Sequence, residues 1–206
     1  MRRLLHGLLS LPACLGCGAQ GTHWCASCAS VRPNVRWEWT TNDWWLCTGF
    51  TYADPVKATI IKWKERESAA AQEQVGRWFA AALGPLLRFC PEVVCVPVPS
   101  PPRNDRIRGR QLLLEMLQSL DVPVHCGLRA RRARRDQAGL SRRERFENLQ
   151  DAFEWEPSGS RPILIVDDVV TSGATISAAA NTVISAGGVV RGAFGLARRG
   201  PLAPFH

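Results

Sequence analysis

The sequence predicts an α/β protein with a parallel sheet and a small cysteine-containing module near the start of the chain. Two continuous apolar runs, at 93–98 and 162–166, have the length and composition of strands buried on both faces. Helical patterns alternate with these runs, which is typical of a parallel sheet. Four cysteines form two closely spaced pairs before residue 30, and this spacing indicates a metal-binding module.

The chain has 206 residues, enough for one sizeable domain and a small appended module. Its net charge is +8, and arginines crowd the stretch 129–145. Such a cluster attracts polyanions, although an ordinary solvated basic loop is an equal alternative. The apolar start at 4–11 is too short for a signal peptide or a membrane span, so we expect a cytoplasmic protein with no membrane insertion.

The paired cysteines are Cys14-x-x-Cys17 and Cys25-x-x-Cys28. Each pair can form a knuckle, and two knuckles close a tetrahedral thiolate site around a structural Zn²⁺ ion. The sequence therefore predicts a zinc-ribbon module at 1–33. Two disulfides are the alternative, which a reducing cytosol disfavours. His23 is a weaker ligand candidate because four thiolates already complete the coordination shell.

Alternating residues at 35–39, a turn and a second run at 44–52 predict a β-hairpin. We expect this hairpin, at 34–53, to connect the zinc-ribbon module to a main domain at 54–206. Asp54 and Pro55 suit the N-cap and the first position of a helix. Ser68 caps a second, alanine-rich helix, which Pro85 is expected to kink or end.

The main domain continues with the buried strand at 93–98, a Pro- and Arg-rich loop at 99–110 and an amphipathic helix from residue 112. A short strand is expected at 122–124. Ser141 and Glu144 form a capping box at the start of another helix. An edge strand is expected at 152–155, followed by the second buried strand at 162–166. A helix from Ala174 to Gly187 and a final strand at 189–196 complete the order.

The segment 163–175 holds the candidate ligand site. Asp167 and Asp168 end a buried strand, and a turn rich in hydroxyls then leads into a helix: Thr171, Ser172, Gly173, Ala174, Thr175. Ligands of open α/β sheets bind at the carboxyl ends of strands, and a helix N-terminus suits a phosphate. The carboxylates can accept hydrogen bonds from vicinal ribose hydroxyls, directly or through Mg²⁺. An ordinary capped strand-to-helix turn would explain one acid and one threonine, but it does not easily explain the whole run.

This segment resembles the fingerprint for phosphoribosyl pyrophosphate (PRPP) of type I phosphoribosyltransferases. Over nearly its full length the chain resembles the ComF family, also called GntX-like, in which a zinc-binding module precedes such a domain. The resemblance includes the cysteine pairs, 60–64, 96–99, 136–148 and the fingerprint itself. It implies that Asp167 and Asp168 bind the ribose hydroxyls and that 171–175 binds the 5′-phosphate.

The resemblance also implies a pyrophosphate loop after the first buried strand and a mobile hood at 129–148. The candidates in these two segments are Arg103, Arg106, Arg108, Gln137, Arg142, Arg145 and Asn148. The chain departs from the family at 108–111, where it lacks a Phe-Asn pair, so the contacts of this loop stay open. Solvated basic loops are the alternative for both segments. Lys64 matches a family lysine, but a surface helix lysine explains it equally well.

Two functions follow from the resemblance. The first is a phosphoribosyltransferase that transfers a phosphoribosyl group from PRPP to a nucleobase or amine acceptor and releases pyrophosphate with Mg²⁺. The second is a non-catalytic accessory protein of DNA uptake (competence) or recombination that binds PRPP or a nucleotide. A nucleic-acid-binding module that uses the zinc ribbon on single-stranded DNA is a weaker third alternative.

Overall fold

The computed structural model describes residues 11–40, 43–65, 68–100, 111–131, 152–157 and 159–200. Its helices and strands follow one another along the chain in this order: α1 (Ala26–Ala29), β1 (Arg36–Trp39), β2 (Trp45–Thr51), α2 (Val56–Glu65), α3 (Ala69–Phe89), β3 (Val94–Pro97), α4 (Leu112–Ser119), β4 (Leu128–Ala130), β5 (Phe153–Trp155), β6 (Ile163–Val170), α5 (Ala174–Ser185) and β7 (Val190–Arg198).

A five-stranded sheet organises the protein, with the strands in the order β1-β2-β7-β6-β3. Four of them are parallel to their neighbours, and only β1 runs antiparallel, to β2. The prediction of an α/β protein with a mostly parallel sheet is therefore confirmed. The carboxyl ends of β2, β7, β6 and β3 meet at one edge, where open α/β sheets bind their ligands.

Helices cover both faces of this sheet. Leu164 and Val166 of β6 pack into the cluster that also holds the buried side chains of α2, α3 and α4. Ile163 and Ile165 pack on the opposite face, with the buried side chains of α5. Because successive side chains of a strand point to opposite faces, the apolar run of β6 supplies both halves of the core at once.

The predicted hairpin is present as β1 and β2, with Trp39 opposite Trp45 at its turn. Its second strand does more than connect the module to the rest, because β2 also pairs in parallel with β7 in the central sheet. The ring of Trp45 lies over Gly192 of β7, where an added Cβ would come within 2.5 Å of the indole. The hairpin is thus built into the sheet of the main body.

The long helix α3 begins as predicted and ends later than predicted. Ser68 is its N-cap and accepts a hydrogen bond from the backbone N–H of Ala71 at 3.3 Å. Pro85 lies inside the helix, which continues to Phe89. Buried Leu83 and Leu86 flank Pro85, so packing on both sides outweighs the one backbone hydrogen bond that proline removes. In the part of the chain that the structure describes, no helix is both long and apolar enough to cross a membrane.

A second, two-stranded sheet joins β4 and β5 in antiparallel register. The edge strand predicted at 152–155 is therefore present, but it pairs with β4 rather than with the central sheet. The sequence gave no sign of β4 because it lies where the arginine-rich stretch begins. The strand predicted at 122–124 is reduced to a single parallel bridge between Val124 and Cys95.

Candidate ligand and metal sites

The acid pair lies at the carboxyl edge of the central sheet. β3 ends at Pro97, which pairs with Val166, so β6 extends beyond its neighbour from Asp167 onwards. The strand does not end at the acids, as the sequence predicted, but continues to Val170 because β7 still pairs with it there. Asp167 and Asp168 are both partly buried on the exposed flank of β6.

Lys64 at the end of α2 reaches the acid pair from a position 104 residues earlier in the chain. Its Nζ donates a hydrogen bond to Oδ1 of Asp168 at 2.7 Å. The side chains of Lys64 and Asp168 are only 31% and 19% exposed. This ion pair fixes the side of β6 to which Asp168 points, the side that α2 covers. Alternation along the strand directs Asp167 to the other face, towards α5.

Asp167 has a perturbed acidity. Burial, followed by the negative charge of Asp168, raises the pKa of Asp167 to about 7. A hydrogen bond from the backbone N–H of Asp168 to Oδ1 of Asp167, at 2.8 Å, and the charge of Lys64 act in the opposite direction. Near neutral pH, Asp167 therefore shares its proton with solvent and can accept hydrogen bonds in its ionised form.

The turn that follows β6 brings the start of α5 beside the acids. Gly173 is the N-cap residue and adopts a left-handed conformation, with φ of 79°, which non-glycine residues adopt only at a cost. Thr171, Ser172 and Thr175 are exposed. The first backbone N–H groups of a helix lack partners inside it, and its N-terminus carries partial positive charge. The turn can therefore bind an anion with backbone N–H groups and hydroxyls.

Close packing also fixes the end of β6 next to the turn. Gly195 of β7 faces Val170, and a Cβ added at Gly195 would lie 2.3 Å from Cγ2 of Val170. Next to it, the buried Arg198 pairs with Glu38 of β1 and donates a hydrogen bond from Nε to the carbonyl of Gly200 at 3.0 Å. Desolvation, followed by the charge of Arg36, lowers the pKa of Arg198.

The other predicted site residues lie outside the described part of the chain. These are Arg103, Arg106 and Arg108 of the predicted pyrophosphate loop and Gln137, Arg142, Arg145 and Asn148 of the predicted hood. A cavity of about 800 Å³ lies away from the acids, between β5 and the C-terminal half of α5, where Trp155 and Asn181 are among its lining residues. It contains none of the predicted site residues.

The four cysteines of the N-terminal module come together as predicted. The Sγ atoms of Cys14, Cys17, Cys25 and Cys28 all lie within 4.8 Å of one another, and all four thiols are free. Cys17 and Cys25 have their Sγ atoms 3.7 Å apart. Tetrahedral zinc with Zn–S bonds of about 2.3 Å holds its thiolates about 3.8 Å apart. The cluster can therefore bind a metal such as zinc without rearrangement.

The backbone prepares this cluster for ionisation unevenly. Desolvation opposes a charge on Cys14, but hydrogen bonds from the backbone N–H groups of Cys25, Cys17 and Gly16 outweigh it and lower the pKa of Cys14 to about 6. Burial, followed by hydrogen bonding to Cys25, raises the pKa of Cys28. A bound cation would favour the thiolate of every ligand. Outside the cluster, burial raises the pKa of Cys95 to about 12, as expected for a small core residue.

The cysteine module is packed into the body of the protein. Leu15, which lies between the first two ligands, is buried in the same core cluster as Phe50 and Val56. A Cβ added at Gly16 would lie 2.4 Å from Cβ of Pro55. The ring of Trp24 also makes an edge contact with Trp78 of α3, at 6.1 Å between centroids. The order of the module is therefore linked to the positions of α2 and α3.

Sequence reasoning left the role of Lys64 open and missed Glu38 and Arg198. The first required knowledge of where α2 lies relative to β6, which no local pattern contains. A charged residue within the apolar final strand was the available signal for Arg198. No protein-family model matches this chain, and no curated protein matches it either. The residues of the two sites therefore provide the support for function.

Proposed function

We propose that the chain is a ComF-like (GntX-like) protein whose main domain has the type I phosphoribosyltransferase fold and binds PRPP or a related ribose phosphate. The observation that carries this proposal is the placement of Asp167 and Asp168 at the carboxyl edge of the sheet, directly before the glycine-capped N-terminus of α5. This arrangement offers acceptors for a diol and donors for a phosphate next to each other.

In this proposal each part of the ligand meets a complementary group. The carboxylates of Asp167 and Asp168 accept hydrogen bonds from the vicinal hydroxyls of the ribose. The turn at 171–175 donates backbone N–H and hydroxyl groups to the 5′-phosphate, and the helix N-terminus favours its charge. Mg²⁺, a hard cation that prefers oxygen ligands, accompanies the pyrophosphate and is held by ligand oxygens and by one or both carboxylates.

The proposed activity is transfer of the phosphoribosyl group to a nucleobase or amine. The bond between C1 of the ribose and the pyrophosphate oxygen breaks, the acceptor nitrogen bonds to C1 and loses its proton, and pyrophosphate leaves. The protein would accelerate this reaction by positioning the ring and stabilising the departing charge. Binding of PRPP without turnover, in an accessory protein of DNA uptake or recombination, is the alternative that the test must separate.

The cysteine cluster has a supporting role in this proposal. Four thiolates leave no open coordination position, so zinc bound there is structural rather than catalytic. Because Leu15 and Gly16 pack against the main core, the metal would hold the module in place against α2 and α3.

The central test is calorimetric titration of the full chain with Mg²⁺ and PRPP. We expect binding by the wild type and a loss of at least tenfold in affinity for Asp167→Asn/Asp168→Asn, since each charged acceptor contributes more than a neutral one. Glu73→Gln is the matched control, because Glu73 forms an exposed ion pair with Arg77 on α3, away from the acids. Equal PRPP binding by the wild type and the double variant would refute the proposal.

A second measurement separates the enzyme from the accessory protein. Release of pyrophosphate is followed with the wild type, Mg²⁺ and PRPP across a panel of nucleobases and small amines. Release that depends on one acceptor and disappears in the double variant would identify a transferase. PRPP binding with no release for any acceptor would favour the non-catalytic alternative.

A further inference from the structure

The ion pair between Lys64 and Asp168 joins two elements that are far apart in the sequence. It has a distance of 2.7 Å and is largely shielded from solvent. Exposed ion pairs add little to stability because two long side chains must be ordered and water screens them. A shielded pair next to a second carboxylate differs, because the cation also changes the charge that the neighbouring acid experiences.

The backbone of Lys64 is held firmly on both sides. Ile60 and Trp63, in the preceding turn of α2, are buried in the main core. Lys62 donates a hydrogen bond from Nζ to the carbonyl of Leu15 in the cysteine module, at 3.2 Å. Residues two apart on a helix point in nearly opposite directions, so Lys62 and Lys64 extend from different sides of α2. The position from which Lys64 reaches Asp168 is therefore fixed by packing.

We infer that Lys64 is a positioning residue of the sugar-phosphate site, acting through Asp168 to orient that carboxylate and to balance the charge of the acid pair. This inference rests on the proposed function. One carboxylate oxygen of Asp168 is held by Lys64, and the other is left to accept a ribose hydroxyl. The pair of acids then carries a net charge closer to that of one carboxylate, and Asp167 can ionise beside Asp168.

The surroundings of Asp167 make Lys64 the important cation in this balance. The charges that act on Asp167 are Asp168, which opposes its ionisation, and Lys64, which favours it. On the side of β7 the residue opposite Asp167 is the uncharged Gly195, and β3 has ended at Pro97. The turn and the start of α5 contribute hydroxyl and apolar side chains at 171–176. Removal of the Lys64 cation would therefore keep the proton on Asp167 to higher pH.

The first test needs no ligand. The carboxyl groups of ¹³C-labelled aspartates are titrated by NMR in the wild type, Lys64→Met and Lys64→Arg, and the signal of Asp167 is assigned with Asp167→Asn. We expect the midpoint of Asp167 to rise by about one pH unit in Lys64→Met, because an opposite charge has been removed. Lys64→Arg should restore it. An unchanged midpoint in Lys64→Met would overturn the inference whatever the protein binds.

The second test measures the affinity for PRPP with Mg²⁺ between pH 6 and 9. We expect Lys64→Met to bind about tenfold more weakly near pH 7, to recover much of this loss at high pH, and Lys64→Arg to resemble the wild type. The matched control is Lys57→Met, the same substitution at an exposed position of α2. A loss that is equal at every pH would indicate a packing role and would overturn the inference.

The two tests also separate failure of the inference from failure of the proposed function. A wild type that does not bind PRPP refutes the proposed function, and with it any role of Lys64 in binding that ligand. A wild type that binds PRPP, together with Lys64→Met behaving as Lys57→Met does, refutes the inference alone.

Discussion

The cysteine cluster and the acid pair are built in opposite ways. All four thiols of the cluster come from the short stretch between Cys14 and Cys28, and two tight turns bring them together. The acid site combines neighbours in sequence, Asp167 and Asp168, with a lysine that is 104 residues away. Local geometry completes the first site, whereas the second depends on the path of the whole chain.

The difference shows which sites a sequence can specify by itself. Spacing in a short segment limits the distances between its side chains, so a cysteine pattern carries its own geometry. A strand followed by a glycine-rich turn likewise places acids near a helix N-terminus. The partner that balances the charge of those acids comes from another layer of the fold. The four predictions below compare the two regions, beginning with the largest expected effect.

Loss of the metal-binding thiols should have the largest effect, and it should spread beyond the module. Metal binding by a structural site contributes about 10 kcal/mol or more of apparent free energy, and Leu15 links this site to the main core. We expect Cys14→Ser to lose bound zinc and to lower Tm by about 10 °C or more. Zinc content and thermal unfolding measure this, with the exposed Cys126→Ser as control. A variant that retains a full equivalent of zinc would show that the cluster is not the metal site.

Gly16→Ala tests the link between the module and α2. Its Cβ would lie 2.4 Å from Cβ of Pro55 and 2.8 Å from Sγ of Cys28. We expect a loss of about 1–3 kcal/mol in the free energy of unfolding, as for other overpacked sites, and weaker retention of zinc against a chelator. Gly76→Ala is the control, because its nearest contact would be Sδ of Met116 at 3.5 Å. Equal behaviour of the two variants would mean that the module is not packed against α2.

Gly173→Ala tests the turn of the acid site. A φ of 79° costs an alanine about 1–2 kcal/mol, so a smaller loss in the free energy of unfolding is expected than for overpacking. Gly159→Ala provides a matched control, since Gly159 has a similar φ of 83° away from the site. Both variants should lose stability to a similar degree, but only Gly173→Ala should weaken PRPP binding. Similar PRPP affinity in the two variants would argue against a role of this turn in binding phosphate.

The smallest effect concerns the pH dependence of stability. The pKa of Asp167 is about 7 in the folded protein and close to 3.8 when unfolded. Between these values the folded state binds more protons, so the contribution of Asp167 to the free energy of unfolding decreases as pH rises from about 4 to about 7. Asp167→Asn should remove this slope and gain stability relative to the wild type with increasing pH. Urea unfolding at several pH values measures it, with Asp54→Asn as control. A parallel pH dependence in Asp167→Asn and the wild type would contradict the raised pKa.

Local patterns predicted most of the elements and the centres of both sites. The β1–β2 hairpin, the strand and turn around Asp167, and the cysteine cluster all follow from period, turn residues and spacing. The place of β2 next to β7 could not be predicted, because strand order depends on long-range pairing. β4 was hidden because charged side chains on an exposed strand mask its alternation. Pro85 was misleading because local helix rules do not include the packing of Leu83 and Leu86 around it.

The position of β7 has a consequence for how the protein acquires its structure during translation. β7 is synthesised after all the other described strands, yet it lies between β2 and β6 in the sheet. Until residues 190–198 leave the ribosome, the inner edges of both strands remain without their native neighbour. Such edges pair readily with other chains. The nascent protein is thus most prone to aggregation just before its final strand is inserted, even though the cysteine cluster can already hold its metal.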